Sequence, residues 1–440
     1  MLGSALMLSA LLNGLTFALK LWWVWLPVLL VIIAYDVWFD YQLEKYLVEM
    51  KWVLLEIIPP LEIRYSSPRA AEYFFSGLHA SYGGGTGWKG QFFTGKVPDW
   101  FSIEIASNSG DTHFYIRCLE GQRNTLESIL FAQYPDAEIR IVEDYMDQVP
   151  AVFKPDKYDL SCSEFIFSEA QAYPIKTYPE FEDAGGKDEY ARLDPLAPLL
   201  EIMSGLRAGE HIWLQFMLRP TGKDWIKEQQ KVVDKLAGKE EKQADPHPIV
   251  WILSLPLKII TALLEEFGLQ KPVEEKKKEE KQFNLQGLTP AQKVILERVE
   301  YKLSKLAFKV GIRLCYIADK DVYNGARPAS VGAMFKQLYY TNLNSFKPNP
   351  KASSSDKGTL GWLFPDGKGF GVEARTLQKK TSMYKKHRER KFTEDFVILN
   401  VEELATIWHL PGANIKAPLI SRIQAKKGQP PAMLPTRQLQ

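Results

Sequence analysis

Between Pro98 and Tyr145 the sequence leaves little choice of fold. Phe101, Ile103 and Ile105 alternate with Ser102, Glu104 and Ala106, the period-two pattern of a half-buried strand. The cluster Ser107-Asn108-Ser109-Gly110-Asp111 supplies turn residues, and a second alternating run follows from His113 to Cys118. Leu126, Ile129, Leu130 and Gln133 fall at helical spacing, and Tyr134-Pro135-Asp136 stops that helix. Ala137 to Val142 reads as a closing strand. Upstream, Trp52 to Ile58 has strand character and Pro68 to Ala80 helical character. The predicted order is therefore βαββαβ, the ferredoxin-like split unit. That unit hosts many functions and names none.

A chain of 440 residues has room for roughly two to four domains. Its hydrophobic fraction of 46% and charged fraction of 25% are those of an ordinary globular chain. A net charge of +2 gives no argument for a nucleic-acid surface by itself. Cys118, Cys162 and Cys315 lie far apart, which suits neither a disulfide scaffold nor a zinc site. The simpler expectation is a reducing, cytosol-facing setting for the folded part.

The first fifty residues differ from the rest. Residues 2–19 carry no charge, Lys20 interrupts, and Leu21 to Tyr35 is again uncharged, with Trp22, Trp23 and Trp25. A helix from Leu15 to Tyr35 would supply the roughly 20 apolar residues of a membrane span, with tryptophans at headgroup level. The expectation is a transmembrane anchor and juxtamembrane helix over residues 1–50. It implies a single-pass protein of a bacterial inner (cytoplasmic) membrane, with the bulk of the chain facing the cytoplasm.

Residues 51–147 then form the ferredoxin-like domain, and residues 148–345 a second α+β domain. The second is read from strands at Leu160–Phe167, His211–Leu218 and Gly311–Ile317. Helices are expected at Leu196–Gly205, Trp225–Leu236, Ala291–Phe308 and Ser330–Tyr340. Whether this domain is also ferredoxin-like, the pattern leaves open. An insertion at 238–286 interrupts it, with two mixed-charge linkers around the apolar segment Ile249–Leu269. There Trp251, Leu255, Ile259, Ile260 and Leu263 would meet a membrane interface or a partner, or pack back onto the second domain. Residues 346–440 read as loop, basic helix and C-terminal connector. The expected fold class is α+β, with a transmembrane helix ahead of two such domains.

Charge concentrates late in the chain. Arg375, Lys379, Lys380, Lys385, Lys386, Arg388, Arg390 and Lys391 fall within one short helical stretch. Nucleic acid or anionic lipid would exploit them. Equally, they suit a solvated connecting helix whose charges pair with acidic neighbours.

The residues of catalysis are hard to find. Gly90 to Val97 matches G-x-x-x-x-G-K, but Val97 replaces the Ser or Thr that a phosphate loop needs for magnesium, and Pro98 follows instead of a helix. The six histidines are scattered, and no Ser-His-Asp set, H-E-x-x-H or calcium loop is legible. The chain reads as non-enzymatic, with no cofactor or metal site.

Several stretches resemble a known family. They are KWVLLEIIPP at Lys51, DWFSIEIAS through FAQYPDAEI and VEDY, DPLAPLLEIMSGLRAGEHIWLQ at Asp194, FVILNVEELATIWHLPGANIKAP and AKKGQPPAMLP. Together they resemble the membrane-anchored N-terminal region of ATPases similar to type IV secretion and conjugation coupling proteins, related to HerA-type DNA translocases. The resemblance runs from about Lys51 to Pro435. In those relatives a P-loop motor follows; this sequence holds no such loop, and no ATP-binding residue carries over. The resemblance implies a non-catalytic assembly or adaptor component of a secretion or DNA-translocation apparatus. Its partners would be a separately encoded P-loop ATPase, further copies of itself, and DNA. The alternative is an independent interaction scaffold with no DNA role.

Overall fold

The alternation that marks each strand in the sequence sends successive side chains to opposite sides of a sheet, and both sides here are largely covered. The computed structural model describes residues 20, 22–60, 67–81, 88–184, 193–237, 288–354, 372–393 and 395–412. In chain order the first half holds α1 (Trp22–Glu49), β1 (Trp52–Ile58), α2 (Ser67–Ala80), α3 (Trp88–Thr94), β2 (Phe101–Asn108), β3 (Asp111–Leu119), α4 (Arg123–Gln133) and β4 (Glu138–Ile141). Next come β5 (Tyr158–Phe167), α5 (Tyr178–Ala184), α6 (Ala197–Ser204), β6 (Glu210–Pro220) and α7 (Asp224–Leu236). The chain continues with α8 (Pro290–Ser304), β7 (Ala307–Asp319), α9 (Ala326–Met334), β8 (Phe346–Ser353), α10 (Val372–Glu389), β9 (Val397–Asn400) and α11 (Val401–Ile407).

The strands form a nine-stranded antiparallel sheet, ordered β4-β1-β3-β2-β6-β7-β5-β8, with β9 also paired to β7. The first four give the order 4-1-3-2 of a split βαββαβ unit. Read from the far edge, β8-β5-β7-β6 repeats it. The two units are joined edge to edge by β2 and β6, in register from Phe101↔Leu218 to Asn108↔His211. They are not set apart as the sequence suggested; their strands share one sheet.

One face of the sheet carries the main core. Phe101, Ile103 and Ile105 of β2 and Ile212, Leu214 and Phe216 of β6 pack there beneath the helices. Phe74 and Phe75 of α2, Leu126 and Leu130 of α4, Leu199 and Leu200 of α6 and Val331 of α9 join them. The short helix α11 closes this layer, with Trp408 against Phe74 and Phe75 at ring distances of 6.1 and 5.8 Å. Asn400 caps it in a reciprocal box with Glu403.

The expected membrane anchor is overturned. Among the described residues no helix is long and apolar enough to cross a membrane. The physical reason lies in where α1 turns polar: Asp36, Asp40, Glu44, Lys45 and Glu49 follow the apolar part. At about 1.5 Å per residue, Trp22 to Tyr35 covers roughly 21 Å, short of a hydrocarbon core of roughly 30 Å. Residues 1–19 and Leu21 lie outside the described residues. The single-pass placement in a bacterial inner membrane falls with the anchor, as does the juxtamembrane role of residues 36–50. Instead α1 packs on α3, with Tyr35 stacked on Phe92 at 5.5 Å and the Trp38 indole donating to the Phe92 carbonyl at 3.0 Å.

The same packing also explains the G-x-x-x-x-G-K pattern. Gly90 sits inside α3, and Gly95 adopts φ +63°, where a Cβ would come within 2.1 Å of the Gln42 carbonyl. Only glycine fits so close to a neighbouring backbone.

Several element boundaries differ from the sequence expectation. The helix expected over Ser330–Tyr340 lies at Ala326–Met334, followed by a 3-10 turn over Phe335–Leu338. The helix expected to run to Phe308 stops at Ser304, because β7 begins at Ala307. The stretch from Phe346, read as loop, forms edge strand β8 despite Pro348 and Pro350; prolines are tolerated where a strand has an unpaired side. The insert Ile249–Leu269, with Trp251, Leu255, Ile259, Ile260 and Leu263, lies outside the described residues.

Candidate functional site

The opposite face of the sheet is unusual for its polarity. Direct cross-strand partners place Arg140, Glu56, Tyr115, Glu104, Gln215, Arg313 and Glu164 in one row from β4 to β5. Glu104, Gln215, Arg313 and Glu164 are buried. Burying charge is tolerable only where partners replace water, and α10 brings those partners.

The basic helix lies across the row because three of its side chains are buried. Met383, Tyr384 and His387 turn inward. Met383 and Tyr384 join Trp213, Ala352 and the Cys162–Cys315 pair in a second core, and His387 stacks on Trp213 at 5.7 Å. Those two cysteines, 153 residues apart, face each other in register between β5 and β7 and are bonded. Spacing alone did not suggest a bridge. Cys118 is a free, buried thiol.

At the end of α10, Arg390 takes a left-handed backbone conformation, φ +51°. This position usually belongs to glycine, and a residue with a Cβ loses about 1–2 kcal/mol there. The side chain offsets that. Its guanidinium donates to Glu104 at 2.7 and 3.1 Å and to Asp144 at 2.5 and 3.0 Å. Glu104 also accepts from Tyr145 at 2.7 Å and from Ser102 at 2.5 Å. Although burial opposes it, this carboxylate pair holds the Arg390 pKa well above its ordinary value. Despite its burial, Asp144 has its pKa lowered by its bonds to Arg390.

The second buried pair is Arg313, which donates to Glu164 at 2.7 Å and to the Lys386 carbonyl at 3.1 Å. Thr393 completes Glu164 at 2.9 Å. Between the two pairs, both amide atoms of Gln215 and Nε2 of His387 are buried without a hydrogen-bond partner among the described residues. Burial, then the nearby Arg313 and Arg390, push the His387 pKa well below the usual imidazole value.

The candidate basic residues thus divide. Arg390 is interior. Arg388 donates to the Met146 and Val149 carbonyls at 2.7 and 3.2 Å and pairs with Asp147 at 2.6 Å. Lys380 pairs with Asp159. Arg375, Lys385, Lys386 and Lys391 are exposed and Lys379 is half-buried. Among the described residues Lys385 and Lys391 pair with Glu389 at 3.7 and 3.4 Å, long contacts of the kind that contribute little. Edge strand β8 also exposes Lys347 and Lys351. Sequence reading missed Glu104, Glu164, Gln215 and Arg313. A signal was available: each is a polar residue at a strand position whose neighbours are mostly apolar.

On the main-core side, a cleft of about 400 Å³ opens between Pro174–Thr177, α8 and α11. Lys302 lines it, fully buried and paired with Glu403 at 3.2 Å. Burial lowers the lysine pKa and raises that of the glutamate. Lys302 also donates to the Tyr173 carbonyl at 3.2 Å, and Glu403 accepts from the Ile175 amide at 2.9 Å. These partners tie both groups into the fold. Among the described residues no group of His, Cys, Asp and Glu stands together as a metal site.

Among curated proteins none matches the chain. A family described as Domain of unknown function (DUF8128) matches residues 52–422, from β1 to beyond α11. That description carries no secretion, conjugation or coupling-protein role. The chain belongs to the DUF8128 family.

Proposed function

We propose that this protein is a non-catalytic assembly module of a DNA-translocation apparatus, acting beside a separately encoded P-loop ATPase. The observation that carries this reading is the division of labour along α10. Its inward side chains and its end, at Arg390, lock the helix to the sheet. Its outward Lys385 and Lys386 stand exposed on that support, and β8, whose Ala352 packs against the inward Met383, exposes Lys347 and Lys351. Phosphates are held by such surfaces through counterion release, with little dependence on sequence.

The test is DNA retention by the full chain across a salt series. Replacing Lys385, Lys386, Lys347 and Lys351 with Ser is expected to weaken binding and to flatten its salt dependence, by roughly one unit of slope for each phosphate no longer neutralised. Unchanged binding at low salt removes DNA from the reading.

A second reading, an independent interaction scaffold with no DNA role, draws on α1. Trp22, Trp23, Val31, Ile32 and Ile33 are exposed on it, an apolar surface of the kind that partners cover. In that case the same four substitutions leave partner capture unchanged.

A further inference from the structure

The His387 imidazole is buried where the last turns of α10 meet the sheet, stacked on Trp213 of β6 at 5.7 Å. Gln215, two residues beyond Trp213, points to the same side of the sheet and stands in register with Glu104 and Arg313. Neither the amide atoms of Gln215 nor Nε2 of His387 has a hydrogen-bond partner among the described residues. A neutral imidazole carries one N–H donor; an imidazolium carries two and a charge. The charged form therefore adds an unmatched donor and a cation where water is excluded, which is costly.

Two guanidiniums bracket this turn. Arg313 of β7 donates to the Lys386 carbonyl at 3.1 Å, and the Arg390 amide donates to the His387 carbonyl at 3.3 Å. Burial and then both guanidinium charges hold the His387 pKa well below the ordinary imidazole value. The carboxylates on the elements packed here are engaged elsewhere. Glu104 of β2 accepts from Arg390, Tyr145 and Ser102. Glu164 of β5 accepts from Arg313 and Thr393, and Asp144 from Arg390. On the helix itself, Arg388 pairs with Asp147, Glu389 with Lys385 and Lys391, and the Tyr384 hydroxyl donates to the Pro150 carbonyl. His211 of β6 also meets Trp213, at 6.2 Å, but its Nδ1 is bonded to Asn108.

We propose that His387 is an acid-sensitive latch: a proton taken up between Arg313 and Arg390 releases the last turns of α10 from the sheet and leaves the main core folded. The released helix binds that proton with an ordinary imidazole, near pH 6.5, and the seated helix does not. Each pH unit below about 6.5 then favours release by up to about tenfold, and α10 reseats above it. The two faces of the sheet keep the event local. Met383 and Tyr384, which seat α10, belong to the second core with Trp213, whereas α2, α4 and α11 pack in the main core on the other face. Lys385 and Lys386 are thus carried on a fixed support at neutral pH and on a loose one in acid.

The test is amide hydrogen exchange of the full chain between about pH 5 and about pH 8, expressed as protection factors corrected for the intrinsic rate. From Met383 to Glu389, protection is expected to fall by up to about tenfold for each pH unit below about 6.5, while α2 and α11 keep theirs. His387→Phe preserves a ring on Trp213 and takes up no proton, so protection of α10 is expected to stay level across the series. His211→Gln is expected to leave the wild-type loss in place. Where His387→Phe does not fold, His387→Gln, also neutral at every pH, takes its place. Four results overturn the proposal: level protection of α10 in the wild type, an equal loss in α2 and α11, a loss that persists without His387, or a loss abolished by His211→Gln.

Discussion

Arg390 and Glu104 stand 286 residues apart in the chain and are joined by two charge-assisted hydrogen bonds, Nε to Oε1 at 2.7 Å and Nη2 to Oε2 at 3.1 Å. They tie the end of α10 to the centre of the sheet. Removing one partner strands the other in the interior, which costs about 3–5 kcal/mol. Arg390→Ala is therefore expected to lower the urea-unfolding free energy by about that amount. Arg390→Ala combined with Glu104→Leu is expected to lose much less than the sum of the single changes. Strict additivity would show that the two residues do not act as a pair.

Lys302 and Glu403 make the same argument on the other face. Lys302→Met leaves the Glu403 carboxylate buried without its cation, an expected loss of about 3–5 kcal/mol near neutral pH. Burial already raises the Glu403 pKa, so the loss is expected to shrink on acidification as that carboxyl takes up a proton. Denaturant titrations of both proteins at about pH 5 and about pH 8 measure it. A loss independent of pH would contradict this.

Two histidines pull stability in opposite directions with pH. His113 lies between Glu56 at 2.5 Å and Asp111 at 2.9 Å. Burial acts against its charge, but the two carboxylates prevail and its pKa is raised. Its contribution is present in full below the unfolded value of about 6.5 and is lost as pH rises through the folded value. His387 has a depressed pKa, so the unfolded state takes its proton first. Stability is then lost as pH falls below about 6.5. His113→Gln is expected to destabilise the protein at about pH 6 and hardly at all at about pH 9, by up to about 1 kcal/mol. His387→Phe is expected to remove part of the acid loss. Parallel pH profiles for wild type and both variants would refute the assignment.

Cys162 and Cys315 are bonded while Cys118 is free and buried. Burial and the nearby Glu127 push the Cys118 thiol up to about 12, which leaves little thiolate to react. Thiol titration of the unreduced protein is expected to give almost no signal when folded and one thiol when unfolded in denaturant. Three thiols in unreduced, unfolded protein would show that the pair is not bonded.

The parts of the fold legible in the sequence are those where local pattern and burial agree. Phe101, Ile103 and Ile105 alternate because one face of β2 meets the core. The Thr289 cap of α8 is a local device, with its side chain accepting from Gln292. Joining the two units through β2 and β6 was not legible, because no local signal says which edges of two sheets meet. Nor was the anchoring role of Arg390. In a run of Lys and Arg, nothing local separates the residue that turns inward from Lys385 and Lys386 beside it. That choice is made by Glu104 and Asp144, far upstream. The apolar start of the chain misled because α1 turns polar at Asp36, before a span is complete among the described residues.

The most direct measurement of the assembly reading is ATP hydrolysis by the full chain mixed or co-expressed with the P-loop ATPase encoded nearest to it. The account predicts a complex that survives purification, with DNA-stimulated hydrolysis that needs both chains and falls when Lys385 and Lys386 are replaced by Ser. Two chains that purify apart, with hydrolysis by the ATPase unchanged by this protein, would contradict it.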